Sequence, residues 1–443
     1  MGFLNICIYN IENIDINNSM KQLVAFKYRI YPTEDQKVLL SKTFGCKRVI
    51  FNHYLVEQQR RYQNKEKHMS NFDINKDITD LKYEKEWLRE VDSIALQMAA
   101  EDLSVAYENF FKSITGKRKG PKISLPKFKS KYTRQSYRTR GVRVNDNGSL
   151  QIPKLKEVEA VVDRKIPLGS VIKSTTISKN PDGRYYASIL VETEIALQPM
   201  SGKEVGCDVG LKDLLITSDG LKFKRPTELP NIVKTKQLLK AKQKQFARTE
   251  KSSKNHESLR LQVARLYSKS TRQRNEYYHL VSRYLVDNYD SIYVENLSSK
   301  NMLQNRKLSR AIHEVAWATL TNMISYKSSW AGRTYHRINR FYPSSKTCSS
   351  CDHKLEKLDL GTRVWTCPNC GTHHDRDVNA AKNILRVGQM DCYGEEEPIQ
   401  SQATGDLGEI PLALQKMTIK IERPGICLPV GHGSGQTTRS LIA

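Results

Sequence analysis

Seven residues in the second half of the chain have the types and spacing to do chemistry, and they fall into two sets. Cys348, Cys351, Cys367 and Cys370 form two C-x2-C pairs with fifteen residues between them, within the spacing of a four-thiolate zinc site. Each pair can set two sulfurs on one tight knuckle, and two knuckles close a tetrahedron around one Zn2+, a closed structural site with no position left for substrate. The second set is Asp208, in GCDVGL; Glu295, which ends SIYVE; and Asp377, seven residues after the last cysteine in DRDVNAAKNI. Three acids gathered at one place hold two divalent cations through hard oxygens, as Mg2+ prefers. One ion then activates a water and the other stabilises the leaving 3′ oxygen of a phosphodiester; Cys or His there would select zinc instead. Each acid also has an ordinary alternative. Asp208 could cap a turn, Glu295 could pair with a lysine, and Asp377 could N-cap its helix. Asp375 is the nearest rival to Asp377.

The elements that must position these residues read as alternating strands and helices. Val205–Val209 is a short buried-type strand carrying Asp208, and Leu214–Thr217, an Asp219-Gly220 turn and Leu221–Lys224 form a hairpin behind it. A long basic helical pair covers 233–287, interrupted near 249–255. A strand ends at Glu295, a helix runs from about Ile312 to Gly332, another strand covers 334–340, and Asp377 opens a helix through Leu385. In ribonuclease-H-like folds, mixed sheets with flanking helices, acids in such positions converge at one edge of the sheet.

The first half reads as a small β-barrel with helices inserted after its first strand. Leu23–Pro32 alternates as a strand, and Asn147-Gly148 and Asp182-Gly183 sit between alternating segments as hairpin turns. Thr33 followed by Glu34 and Asp35 caps a helix that extends to about Asn64, with a break expected at Gly45; a further helix covers 93–115. Asn52, Tyr54 and Gln97 on these helices are candidate nucleic-acid contacts, although a polar side chain on a helix is more often simply solvated. From Lys112 to Arg143 there are twelve Lys or Arg and no Asp or Glu, with Phe128, Tyr132 and Tyr137 interleaved. Basic groups such as Lys127, Lys129, Lys131, Arg134 and Arg138 neutralise phosphates while aromatic faces stack on bases.

The totals agree with a polyanion partner. The chain has 443 residues, 72 Lys+Arg and a formal net charge of +25, more than solubility needs. No apolar run is long enough to span a membrane and no cleavable signal is recognisable, which argues against membrane and secretory routes. The five cysteines outside the two pairs are scattered without pairing logic, as suits a reducing, cytoplasmic setting. Residues 1–19 are rich in Asn and Ile and lack Lys and Arg, so they read as a leader ahead of a natural start at Met20. Residues after Gly388 read as a poorly ordered tail.

GCDVGLKDLLITSDG, DSIYVENLSSKNML, RKLSRAIHEVAW and FYPSSKTCSSC with WTCPNCGTHHDRDVNAAKNIL resemble TnpB, the RNA-guided nucleases of insertion sequences, which are related to compact type V CRISPR effectors. FKYRIYPTEDQ, LQMAAEDLSVAYENFF and LPKFKSKYTRQSYR are similar too, so the likeness runs from about Met20 to Gly388. It implies an α+β multidomain chain: a WED-type barrel (20–33 and 118–198), a recognition bundle (34–117), and a RuvC nuclease domain (199–343 and 372–388) interrupted by a zinc ribbon (344–371). It implies RuvC acids at Asp208, Glu295 and Asp377, and a guide RNA and a double-stranded DNA target beside a short transposon-adjacent motif; a monomer is the expectation for an oligomeric state that the sequence leaves open. Base pairing would choose the sequence while the protein holds heteroduplex shape, and hydrolysis would leave 5′-phosphate and 3′-hydroxyl ends. A transposase using the same acids is the alternative, against which no separate end-binding helix-turn-helix is recognisable; a non-cleaving RNA-guided regulator would be expected to lack one of the acids. Two departures stand out: the leader, and Asp352 where the family has Gly after the second cysteine.

Overall fold

A computed structural model describes residues 19–394 apart from 119, 298–301, 303, 305–308 and 360. The expected leader up to residue 18 and the tail from 395 onward lie outside the described residues. The chain divides into two compact units. One holds the described chain up to Leu197 together with Lys236–Ser270; the other holds Gln198–Thr235 and the described chain from Thr271 onward. The tip of the long helical pair, expected with the second half, thus groups with the first unit.

In the first unit, β1 (Ser19–Tyr31) buries alternate residues Val24, Phe26, Tyr28 and Ile30, so one face of the strand is core. It pairs antiparallel with β7 (Tyr185–Ala196), from Ser19 opposite Ala196 to Ile30 opposite Tyr185. With β2 (Gln135–Thr139), β3 (Arg143–Val144), β4 (Leu150–Ile152), β5 (Lys156–Val161) and β6 (Val171–Lys179) it forms a seven-stranded sheet in the order β2-β6-β7-β1-β5-β4-β3. Among the described residues β2 and β3 do not pair with each other, so the expected barrel is half-closed. Gly183 turns β6 into β7 at φ 81°, a conformation open to glycine at little cost.

The helices α1 (Glu34–Gln63), α2 (Asn71–Glu84) and α3 (Ser93–Ile114) follow β1. Thr33 and Gln36 cap α1 reciprocally, each satisfying an orphan N–H. Gly45 does not break α1. An internal glycine costs about 1 kcal/mol, which the burial of Leu40, Phe44, Ile50, Phe51 and Leu55 on that helix outweighs.

The second unit is built on a mixed five-stranded sheet, ordered β10-β9-β8-β11-β12. Its strands are β8 (Glu204–Asp208), β9 (Asp213–Thr217), β10 (Lys222–Lys224), β11 (Ser291–Glu295) and β12 (Thr334–Ile338). β8, β11 and β12 run parallel, and β9 and β10 form an antiparallel hairpin beside β8. Its helices are α6 (Ser309–Val315), α7 (Trp317–Ala331) and α8 (Arg376–Tyr393), with the start of α4 (Pro230–Ala247) and the end of α5 (Lys254–Asn288), whose 236–270 portion belongs to the first unit. The single helix expected over 312–332 is two, because Ala316 takes a left-handed conformation (φ 46°) between α6 and α7. α8 also extends to Tyr393, so residues 389–393, expected in the tail, are helical.

Side chains alternate across this sheet. Val205, Cys207, Ile292 and Val294 pack with Tyr278 and Leu285 of α5 and Trp317, Leu320 and Ile324 of α7. Tyr293 and Ile338 face the other way and pack with Ile384 of α8. α8 lies very close to that face. A Cβ at Gly206 would sit 2.0 Å from the Ala381 carbonyl oxygen, and one at Gly388 would sit 2.1 Å from the Tyr293 ring. Glycine at both positions is what allows helix and strand backbones to approach. Among the described residues no helix is long and apolar enough to cross a membrane.

Candidate active site and metal centre

The period of two along a strand puts Asp208 on the same face as Gly206, and Glu295 on the same face as Tyr293. Cys207 pairs with Val294 in the parallel register, so Asp208 and Glu295 end neighbouring strands one step beyond that pair. Asp208 emerges on the α8 face, Glu295 at the end of β11 also borders a cleft against α7, and Asp377 lies in the first turn of α8. All three keep part of their surface open. The Asp208 carboxyl is pushed up to about 7 by burial, with the negative charges of Glu295 and Asp377 adding to the rise and Arg376 opposing it. Burial also raises Glu295 above the ordinary range. Asp208 and Glu295, both held above the ordinary carboxyl range, stand with Asp377 as a donor set that a divalent cation would relieve, and their oxygens suit magnesium. Among the described residues they do not form as tight a ligand cluster as the cysteines do.

Asp375 and Asp377, rivals in the sequence, do different things. Asp375 is the N-cap of α8: its carboxylate accepts from the N–H groups of Asp377 and Val378 at 3.0 and 3.2 Å and pairs with Lys222 at 2.8 Å. The capping role considered for Asp377 therefore belongs to Asp375, and Asp377 is left with a looser contact to Arg363 at 3.4 Å.

The four cysteine sulfurs lie within 4.8 Å of one another, with Cys348–Cys370 at 3.7 Å and Cys351–Cys367 at 3.6 Å. A tetrahedron of Zn–S bonds of about 2.3 Å has edges of about 3.8 Å, so the set fits zinc. Burial raises the Cys348 thiol, while hydrogen bonds from Thr372 lower Cys370. His374 Nε2 stands 3.0 Å from Cys348 Sγ, beside Trp365 on the two-stranded ribbon of β13 (Val364–Thr366) and β14 (His373–Asp375). Asp352, the departure noted above, adopts φ 62° and pairs with Arg386 of α8. Aspartate tolerates this left-handed conformation better than most residues, and the knuckle keeps its turn.

Sequence reasoning missed the residues that join the cysteine ribbon to the acid. Asn379 Nδ2 donates to the Thr347 carbonyl (2.7 Å) and its Oδ1 accepts from the Ser349 N–H (2.9 Å). Asn383 Nδ2 donates to the carbonyls of Ser344 and Thr347 at 2.8 and 2.6 Å. Two asparagines four apart within an apolar helical pattern, immediately after the last cysteine pair, were the available signal.

The nucleic-acid candidates divide. Tyr54 is fully buried, its hydroxyl donating to Asp77 at 2.8 Å, so it is core and unavailable to a ligand. Tyr137 is likewise buried. Asn52 uses its amide on the backbone of Lys129, donating at 2.9 Å and accepting at 2.8 Å; it anchors the basic segment instead of reading bases. Arg138 is tied to Asp102 and Glu101 at 2.9 and 3.5 Å. Gln97, Lys127, Lys129, Lys131 and Arg134 are exposed, as are Phe128 and Tyr132. Lys127, Phe128, Lys129 and Arg134 line a groove of about 800 Å³ with Lys47 and Arg48 of α1.

Three family models match. The IS605 OrfB model, described as "Probable transposase", covers 188–306; a Cas12f1-like TNB domain covers 317–384; and a "Helix-turn-helix domain" covers 20–67. The last description does not match the fold, since 20–67 forms β1 and the single unbroken helix α1. A Streptomyces pristinaespiralis protein provisionally named an RNA-guided DNA endonuclease is 35% identical over 375 residues, covering 82% of this chain and 89% of that protein. The Escherichia coli K12 protein InsQ, named in the same provisional terms, is 27% identical over 390 residues, covering 83% and 93%. Among solved structures, a Cas12f1 chain in complex with guide RNA and target DNA superposes with a TM-score of 0.52 at 12% identity, over 83% of this chain and 99% of that one.

Proposed function

We propose, from the premise that this chain belongs to the TnpB family of insertion-sequence proteins, that it is an RNA-guided DNA endonuclease hydrolysing phosphodiester bonds with Asp208, Glu295 and Asp377. The observation that supports this best is the shared electrostatics of the three acids at the ends of β8, β11 and the start of α8. They would hold magnesium, which when bound activates a water and stabilises the leaving 3′ oxygen. Asp375 caps α8 and so fixes the backbone from which Asp377 extends, while Arg363 limits where that carboxylate swings. Cys348, Cys351, Cys367 and Cys370 would hold one structural zinc. The half-barrel and its helical bundle are the nucleic-acid-handling part in this reading, with the Lys127–Arg134 groove following phosphates. Guide RNA pairing selects the DNA, and products carry 5′-phosphate and 3′-hydroxyl ends.

The test is cleavage of a plasmid matched to the RNA that co-purifies with the protein, in magnesium. Linear product that disappears with Asp208→Ala is expected. Cleavage that survives this substitution overturns the catalytic assignment, protein free of RNA overturns the guide, and a strand-joining product favours the transposase reading.

A further inference from the structure

Arg337 lies on β12 opposite Val294 in the parallel register, next to the strand end that carries Glu295. Its side chain is exposed yet held in place. Nε donates to the Tyr335 hydroxyl at 2.9 Å, and the guanidinium lies over the Tyr335 ring at 5.5 Å from its centroid. Tyr335 is itself packed against the core of α5 and α7 and hydrogen-bonded to Thr321. Among the described residues no carboxylate pairs with Arg337, in contrast to Arg60, Arg138, Arg260 and Arg333, each of which has an acid partner. Arg337 and Glu295 line one small cleft together with Leu297, Trp317, Thr321 and Asn322. Trp317 is core and the Thr321 hydroxyl is spent on the Trp317 carbonyl and Tyr335, so what the cleft offers a ligand is exposed Asn322 and a fixed guanidinium, a planar fork for phosphate.

The three acids alone would repel an incoming phosphate chain at close range. A cation beside Glu295 and not consumed by it offsets that repulsion locally. We infer that Arg337, at the rim of this cleft beside Glu295, grips the phosphate next to the reacting one in the DNA strand being cut, as a positioning residue. The inference rests on the nuclease reading above. It assigns Arg337 to the reacting strand and not to guide or target capture, so its loss slows cleavage without weakening assembly.

The experiment uses the full chain with its co-purified RNA. Arg337→Ala should bind matched DNA as tightly as wild type in a magnesium-free gel shift, yet cut roughly ten- to a hundredfold more slowly at saturating complex; Arg337→Lys should recover part of the rate. Replacing the phosphate on one side of the cut by an uncharged methylphosphonate should slow wild type by a similar factor and leave Arg337→Ala unaffected. Arg337→Ala cutting at the wild-type rate overturns the role, as does a methylphosphonate penalty equal in both proteins at every position tried. A wild-type complex that binds RNA and DNA but cuts nothing overturns the nuclease reading, and this inference with it.

Discussion

The close approach of α8 to β8 gives the sharpest test of how the candidate site is positioned. In Gly206→Ala the new Cβ would lie 2.0 Å from the Ala381 carbonyl oxygen, 2.5 Å from the Leu385 nitrogen and 2.8 Å from the Leu385 Cβ. Ordinary contact begins at 3.4 Å, so the helix must retreat by about 3.4 − 2.0 = 1.4 Å along that line. The obstacle is helix backbone and cannot be relieved by a rotamer change. Overpacking of this kind costs about 1–3 kcal/mol, and here the upper end is expected. Asp377 sits one turn before Ala381 on the same helix, and a misplacement of about 1 Å can cost roughly a hundredfold in rate. Melting curves and plasmid cleavage by the RNA-loaded protein, with Gly361→Ala as control, measure both consequences. A methyl group added at Gly361 would meet nothing within 4 Å, and the backbone there is not left-handed, so that substitution should stay within about 0.5 kcal/mol of wild type. If Gly206→Ala melts and cuts like Gly361→Ala, the contact between α8 and β8 does not set the position of Asp377, and the reasoning from the glycine to the acid is refuted.

Four other outcomes follow from the same structure. Asp208, raised to about 7 when folded against an ordinary 3.8, holds its proton more tightly folded than unfolded; metal-free protein should therefore lose stability as pH rises from about 4 to 7, by a few kcal/mol at most. Asp208→Asn should flatten that slope in pH-dependent melting, and magnesium should stabilise wild type more at pH 8 than at pH 5. Asp375→Ala should cost about 1 kcal/mol of cap stability and leave some cleavage, whereas Asp377→Ala should abolish cleavage with little change in melting; equal rates for the two would reverse their assignment. Tyr54→Phe, which removes the hydrogen bond to Asp77, should destabilise by about 1 kcal/mol with RNA and DNA affinity unchanged in gel shifts. Metal analysis should find one zinc per chain, and Cys351→Ser should lose it and lower the melting temperature.

What was legible in the sequence is what depends on local pattern. Strand alternation located β1 and β7; short strand-type runs located β8 and β11; turn chemistry located the Asp182-Gly183 and Asp219-Gly220 reversals; cysteine spacing located the thiol cluster. What failed depends on tertiary packing. Gly45 read as a helix break because local propensity cannot weigh the burial of Phe44, Ile50 and Phe51 on the same helix. Ala316 read as helix interior because nothing about alanine announces a left-handed residue. Tyr54 and Asn52 carry polar atoms on a helix, and only the tertiary fold reveals that Asp77 and the Lys129 backbone already occupy them. Asp375 against Asp377 stayed open for a related reason, since either aspartate could cap a helix whose first residue was uncertain by two positions.

The division of labour on α8 explains why a closed cysteine cluster stands so near a carboxylate it does not touch. Asp377 lies in the first turn of the helix, Asn379 and Asn383 grip the backbone entering the first cysteine knuckle, and Arg386 pairs with Asp352 at that knuckle's exit. On the sheet side, the backbone around Ala381 and Leu385 meets Gly206, and Gly388 meets Tyr293. The helix is thus held against the sheet by close backbone contact and tied to the knuckle by hydrogen bonds and an ion pair. Loosening either attachment leaves the other to set its angle. A zinc held by the four cysteines would then affect the acid without sharing a ligand with it, by fixing the segment that Asn379 and Asn383 hold. This makes a distinct prediction for Asn383→Leu, which keeps an apolar helix interior but leaves the Ser344 and Thr347 carbonyls without this donor. Zinc content should stay at one per chain because all four thiols remain, while cleavage should fall by about tenfold or more as the tie between α8 and the knuckle loosens. Wild-type cleavage with wild-type zinc would mean that the Asn383 contacts do not help position the acid.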